Sequence, residues 1–107
     1  MVVRRFEVYL INLDPTVGSE IKKSRPCLII SPDEINQYLA TVIVAPMTSG
    51  KRPYPTRVHC SFQRVAGEIV LDQIRTVDRS RLIRRLGTIS PEVQDRVLKT
   101  LQQLFGE

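Results

Sequence analysis

The chain has 107 residues, of which 42% are hydrophobic and 25% charged, and it carries a formal charge of +5. That length supports one domain spanning residues 1–107 rather than two. No run approaches the ~18 consecutive apolar residues of a membrane span, and Met1-Val2-Val3-Arg4-Arg5-Phe6-Glu7 contains no apolar leader segment, so a cytoplasmic protein is expected.

The charge is unevenly distributed. Between Lys51 and Arg85 nine basic residues face three acidic ones, a net of +6, while the remainder of the chain sums to −1. A basic concentration of this kind suits a surface that meets a polyanion, because each neutralised phosphate releases counterions; the competing reading is a solvated basic face. Cys27 and Cys60 lack the C-x-x-C spacing of a metal or redox site, and His59 is the only histidine. Neither a metal site nor a cofactor is therefore expected, and two buried free thiols are expected in preference to a disulfide.

In chain order, Glu7-Val8-Tyr9-Leu10-Ile11-Asn12-Leu13 reads as a first strand closed by Asp14-Pro15. A loop of about a dozen residues follows, longer than the usual ~2–6. It carries Ser19, Glu20, Lys22, Lys23 and Arg25, a set of groups that suits a phosphate-bearing substrate. Cys27-Leu28-Ile29-Ile30-Ser31 is apolar enough for a central strand. Ser31 and Pro32 offer the N-cap and first position of a short helical turn, and Thr41 to Met47 gives a third strand.

The segment Thr48-Ser49-Gly50-Lys51-Arg52-Pro53-Tyr54-Pro55 is a second polar loop with hydroxyls and cations. Thr56–Cys60, Glu68–Asp72 and Ile74–Asp78 read as further strands, Asp78 as the cap of a helical turn, and Leu86-Gly87-Thr88-Ile89 as a last short strand. From Ser90-Pro91-Glu92 onward, Val93, Val97, Leu98, Leu101, Leu104 and Phe105 recur at helical spacing, which predicts an amphipathic helix packed on the sheet. The sum is mainly β with helices: a compact antiparallel barrel or strongly bent sheet with a helix at its edge. No glycine-rich nucleotide loop is present.

Cleaving RNA without a metal needs a proton acceptor for the ribose 2′-hydroxyl, a donor for the departing 5′-oxygen and donors for the crowded phosphorane. A histidine pair is ruled out by the single His59. Arg25 is the candidate phosphate clamp, its planar fork of donors matching a phosphate; a surface ion pair is the competing reading. Thr48, a hydroxyl at a strand end, suits ligand contact or a turn cap. Glu20 is a candidate to orient Arg25 or to accept a proton, and His59 is a weaker candidate on a strand surface.

Asp14-Pro15-Thr16-Val17-Gly18-Ser19-Glu20, Arg25-Pro26 before a strand, Val44-Ala45-Pro46-Met47-Thr48 and Leu71-Asp72-Gln73-Ile74-Arg75-Thr76-Val77-Asp78 closely resemble the MazF/PemK-like toxin endoribonucleases, collinearly over nearly the whole chain. The resemblance implies an SH3-like antiparallel β-barrel with a C-terminal amphipathic helix, acting as a homodimer. It also implies sequence-specific, metal-independent cleavage of single-stranded RNA to 2′,3′-cyclic phosphate and 5′-hydroxyl ends, silenced by a cognate antitoxin with a disordered, often acidic tail. The family's catalytic arginine and threonine fall on Arg25 and Thr48, and Ser19, Glu20 and Gln73 match positions lining its RNA groove. Lys51 and Arg52 join them by charge and by closeness to Thr48.

One departure concerns Phe6, which stands where the family usually has glycine, so the start of the first strand is expected to pair differently or to present an aromatic to a partner. Two other readings are a CcdB-like non-enzymatic gyrase poison on the same fold and an RNA-binding module without activity. The first lacks the Trp-Gly-Ile ending of those proteins, since this chain closes with Leu104-Phe105-Gly106-Glu107.

Overall fold

Cys27-Leu28-Ile29 is apolar at every position because both of its faces are covered. In the computed structural model, which describes residues 2–106, these residues close strand β2 (Ser24–Ile29), flanked by β1 (Glu7–Asn12) and β3 (Thr41–Thr48). Leu28 turns to a core with Val8, Ala45, Met47 and Ile69, while Cys27 and Ile29 turn to a second core with Tyr9, Ile11, Val44 and Val77. The period-two alternation of a strand thus serves two cores at once. Met1 and Glu107, the outermost residues of the expected leader-free start and of the closing segment, lie outside the described residues.

The remaining elements are α1 (Asp33–Asn36), β4 (Arg57–Phe62), β5 (Val65–Val70), β6 (Arg75–Asp78), β7 (Leu82–Thr88) and α2 (Pro91–Phe105), with 3₁₀ turns at Leu71–Gln73 and Arg79–Arg81. All pairings are antiparallel, in the order β4-β5-β3-β2-β1-β7, with β6 against β3. Strand β3 is where the sheet folds over. Its first half, Thr41–Val44, pairs with β6, and its last two residues, Met47 and Thr48, pair with β5. Pro46, which has no N–H to give, falls between those two ladders. The result is a half-barrel with a C-terminal helix, the mainly β architecture expected.

Helix α2 begins as its sequence dictates: the Ser90 hydroxyl accepts from Val93 N at 3.4 Å and Pro91 occupies the first turn. Val93 and Val97 are buried against the first core, with Leu101 beside them. The stripe outruns the sheet, however, and Leu104 and Phe105 are exposed.

Several boundaries differ from those expected. Strand β2 starts at Ser24, so the Arg25-Pro26 step lies inside a strand rather than before one, and β7 begins at Leu82, running through Arg84-Arg85 along an exposed edge. β5 begins at Val65 and gives way to the 3₁₀ turn at Leu71. Pro32, not Ser31, caps α1; the Ser31 hydroxyl instead donates to Asn36 Oδ1 at 2.6 Å and accepts from Ile43 N at 3.1 Å. Asp78 does cap its turn, accepting from Ser80 N at 2.8 Å.

Phe6 keeps the bend of a glycine. Its φ of 72° lies in the left-handed region, a strained conformation for a bulky side chain. Its N–H donates to Ile29 O at 2.8 Å and its carbonyl accepts from Ile89 N at 3.2 Å, so both neighbours hold the bend in place. The ring is half-buried against the first core with the Arg5 guanidinium 5.2 Å from its centroid; it is not held out for a partner.

Both cysteines are free. Cys27 is buried and Cys60 half-buried, on opposite cores. Burial pushes the Cys27 thiol up to about 12 against the opposing charges of Arg75 and Arg25, which leaves it unreactive at neutral pH.

Candidate active site

Arg25 and Thr48 come together through strand register. The β2–β3 ladder runs from Ile29 opposite Val44 to Cys27 opposite Pro46. Arg25 on β2 and Thr48 on β3 each lie two residues past that last pair, at the same end of adjacent strands. The two long polar loops therefore leave the sheet side by side, as a site built from both requires. Arg25 is half-exposed, and its Nε donates to Lys22 O at 3.0 Å, which leaves the two terminal nitrogens of the fork open to a ligand.

Thr48 is backed by a buried carboxylate. Across the β3–β5 ladder Thr48 is paired with Glu68, whose side chain is 0% exposed. Arg57 Nη1 donates to Glu68 Oε1 at 2.8 Å and the Thr48 hydroxyl donates to the same oxygen at 3.4 Å; Arg52 N donates to Oε2 at 3.0 Å. Arg57 in turn forks onto Asp72, Nε to Oδ1 at 3.0 Å and Nη2 to Oδ2 at 3.2 Å, and lies under the Tyr54 ring at 5.1 Å. Burial works against ionising Glu68, but the Arg57 hydrogen bond, the Arg52 amide, the Arg57 charge and the Thr48 hydroxyl outweigh it and hold the carboxyl below its ordinary range. Asp72 is likewise held low: burial opposes ionisation, and the hydrogen bonds from Arg57 and Thr56 prevail.

Two glycines let the chain close around this carboxylate. A Cβ on Gly50 would stand 3.0 Å from Glu68 Oε1, and one on Gly67 would stand 2.4 Å from the Thr48 carbonyl oxygen. Only a bare backbone fits at the second position.

The first loop, residues 13–23, is fixed at its base. Arg75 Nη1 donates to Leu13 O at 3.0 Å, Arg81 Nη1 to the carbonyls of Asn12 and Asp14, and Ile21 N to Gln73 Oε1 at 2.8 Å. An open cavity of about 540 Å³ has Ser19, Glu20 and Ile21 on the loop side, Asp72, Gln73 and Arg75 on the other, and Pro46 between. A smaller, mostly apolar cavity of about 230 Å³ has Thr48, Pro26, Met47, Phe62 and Val65 in its lining. Pro46 and Thr48 are two strand residues apart, about 6.6 Å, so the two cavities reach neighbouring positions at the same end of β3.

Of the expected site residues, the fold thus gathers Ser19, Glu20 and Gln73 in one cavity, and Arg25, Thr48 and the Lys51–Arg52 loop at the adjoining strand end. Lys51 and Arg52 are exposed. Glu20 does not meet Arg25: its Oε1 accepts from Val17 N at 2.6 Å within its own loop. His59 is exposed, its Nε2 2.7 Å from Arg52 O, so it braces the second loop. The sequence reading missed Glu68 and Arg57. Acids and arginines are rarely fully buried, and the one available signal is Glu68 opening the apolar run Ile69-Val70-Leu71. The basic excess is also partly structural, since Arg57, Arg75, Arg79, Arg81 and Arg85 all hydrogen-bond to carbonyls or carboxylates of the fold. Among the described residues no group of histidines, cysteines and acids is placed to hold a metal ion, and no helix is long and apolar enough to cross a membrane.

The chain is similar to known proteins over nearly its whole length. Residues 4–105 match the family described as PemK-like, MazF-like toxin of type II toxin-antitoxin system. The chain is 39% identical to endoribonuclease EndoA of Bacillus subtilis, over 95% of this chain and 93% of that protein. It is 41% identical to endoribonuclease MazF of Staphylococcus epidermidis, over 98% and 92%. Its fold superposes on crystalline MazF of Deinococcus radiodurans with a TM-score of 0.87 at 28% identity, covering 100% of this chain and 99% of that one. A MazE–MazF structure from the same organism superposes with a TM-score of 0.81 at 29% identity, covering 99% and 97%.

Proposed function

Because the chain belongs to the PemK-like, MazF-like toxin family of type II toxin–antitoxin systems and is a MazF-like endoribonuclease toxin, we propose that it cuts single-stranded RNA by transesterification at Arg25 and Thr48 without a metal ion. The 2′-oxygen gives up its proton and bonds to the adjacent phosphorus, the bond to the 5′-oxygen breaks and that oxygen takes a proton from water, and the products are a 2′,3′-cyclic phosphate and a 5′-hydroxyl. The observation that carries this reading is the register that brings Arg25 and Thr48 to one strand end, where Thr48 lines a cavity.

Arg25 supplies charge stabilisation. A guanidinium stays charged and gives up a proton poorly, but its open nitrogens suit the negative charge that grows on the phosphorane. Thr48, its hydroxyl proton directed at Glu68, offers its lone pairs to an N–H or O–H donor of the nucleotide beside the scissile phosphate and so fixes that phosphate's position. Glu20 is exposed at the cavity, with Oε2 left over from the Val17 hydrogen bond, and is the candidate to take the 2′-hydroxyl proton. Ser19 and Gln73 line the groove for a neighbouring nucleotide, and Lys51 and Arg52 attract the backbone.

The decisive experiment incubates the protein with a mixed-sequence RNA in excess EDTA and maps the ends of the fragments. Cleavage leaving cyclic phosphates is expected, and Arg25→Ala should lower kcat by about 10³-fold, the scale of losing a principal transition-state donor. Intact RNA, or undiminished cleavage by Arg25→Ala, refutes the reading.

The same reading includes a homodimer in the cytoplasm and a cognate antitoxin. A disordered acidic segment of that antitoxin would cover Lys22, Lys23, Lys51 and Arg52, all exposed at the two loops. Light scattering on the purified chain tests the dimer; raised salt should weaken the antitoxin complex.

A further inference from the structure

We propose that Glu68 is a positioning residue for RNA cleavage, holding the Thr48 hydroxyl and the 50–52 backbone in one fixed arrangement. This rests on Thr48 acting at the scissile phosphate. A carboxylate offers about four lone-pair sites. Glu68 fills three of them: Arg57 Nη1 at 2.8 Å and the Thr48 hydroxyl at 3.4 Å on Oε1, and Arg52 N at 3.0 Å on Oε2. Held through both oxygens by groups from β3, β4 and the 50–52 loop, it is fixed in orientation. Gly50 lies so close that even a methyl would press on Oε1.

Stability alone does not explain the arrangement. Buried ion pairs are weak evidence of stabilisation, because desolvation offsets the attraction. Glu68, Asp72 and Arg57 together leave one net negative charge beside a site for phosphate, which works against a reaction that accumulates negative charge. Such a group is tolerable at this spot if its contribution is geometric. Its contacts reach two elements that meet substrate in the proposed mechanism, the end of β3 and the loop bearing Lys51 and Arg52. Arg57, forked onto Asp72, anchors Glu68 from the far side.

The test uses a fluorogenic single-stranded RNA spanning a mapped cut site and measures kcat and KM for Glu68→Gln, Thr48→Val and the double variant. Gln keeps the shape but replaces one acceptor oxygen with a donor that faces other donors. Glu68→Gln should lower kcat by about 100-fold, as misplacement of a reacting group by about an ångström does, and should leave KM within about threefold. In the Thr48→Val background the same change should lower the residual kcat by less than about threefold, because the two act as one unit.

A kcat for Glu68→Gln within threefold of the parent overturns the proposal. So does a full ~100-fold loss in the Thr48→Val background, the mark of a structural role independent of Thr48. If Thr48→Val alone leaves kcat unchanged, the catalytic reading itself falls. Should Glu68→Gln fail to fold, Gly50→Ala decides, since it keeps every charge and pushes on Oε1. A loss in kcat of about tenfold with an unchanged Tm supports the proposal, and an unchanged kcat overturns it.

Discussion

The two loops that meet at the site are held in opposite ways. The first, residues 13–23, is gripped from outside: Arg75, Arg81 and Gln73 reach its backbone near the stems, and Ser19, Glu20, Lys22 and Lys23 stand exposed. The second, residues 49–56, is wrapped around something inside, with Arg52 N and the Gly50 backbone closing on a carboxylate that solvent does not reach. A loop anchored only at its base can adapt its tip to a ligand, whereas one built around a buried, hydrogen-bonded group cannot move without exposing or unpairing that group. The adaptable first loop fits recognition, with Glu20 at its tip as the proposed proton acceptor, and the fixed second loop fits the positioning of the reacting phosphate.

The largest break in this comparison comes from Arg57, whose side chain is 8% exposed. Arg57→Met leaves Glu68 and Asp72 without their cation, and removing one member of a buried pair costs about 3–5 kcal/mol. Urea titration should show that loss, with cleavage abolished under the same conditions. A loss below ~1 kcal/mol would mean that the second loop does not depend on its interior.

Gln73→Leu, by contrast, releases only the Ile21 amide of the first loop. It should lower stability by about 1 kcal/mol while raising KM several-fold with kcat nearly unchanged, the pattern of lost binding shared by ground and transition states. An equal fall in kcat and kcat/KM would show that the Ile21 anchor also positions Glu20 for the chemistry.

The smallest effect is acid sensitivity. Glu68 and Asp72 titrate lower in the folded chain than their ordinary values of 4.5 and 3.8. The unfolded chain therefore binds more protons across that window, and stability falls as pH drops. The contribution is complete above about pH 4.5, the ordinary glutamate value, and is lost as pH falls through the lower folded values. Urea midpoints at pH 7 and pH 3 should show the drop, and Glu68→Gln should shrink it; an unshrunk drop would assign acid sensitivity to other carboxylates.

Legibility in the sequence followed how locally each feature is encoded. Ser90-Pro91 and Asp78 announce their turns within three residues, and Cys27-Leu28-Ile29 announces a strand covered on both faces, so α2, the 79–81 turn and β2 were readable. Strand β7 was half-hidden because Arg84-Arg85 interrupts its apolar pattern along an exposed edge. Phe6 contradicts local preference outright. Its left-handed backbone is imposed by hydrogen bonds to Ile29 and Ile89, distant in sequence. In the site, the strand-end residues Arg25 and Thr48 and the cavity residues Ser19 and Glu20 were visible as loop chemistry, and Gln73 only through the family resemblance. Glu68 and Arg57 were not, since a buried acid and its cation are specified only by register across β3, β5 and β4.

Gly67 carries a genetic consequence. Its α-carbon passes so close to the Thr48 carbonyl that any side chain there would wedge β5 away from β3, shifting Thr48 and Glu68 while leaving both cores their residues. Cells that survive expression of this toxin without its antitoxin have to disarm it, and at codon 67 any change to another amino acid would do so. Sequencing survivors should recover diverse replacements at Gly67, encoding protein that is still folded and abundant; a selection that leaves this codon untouched would show that the strand can yield.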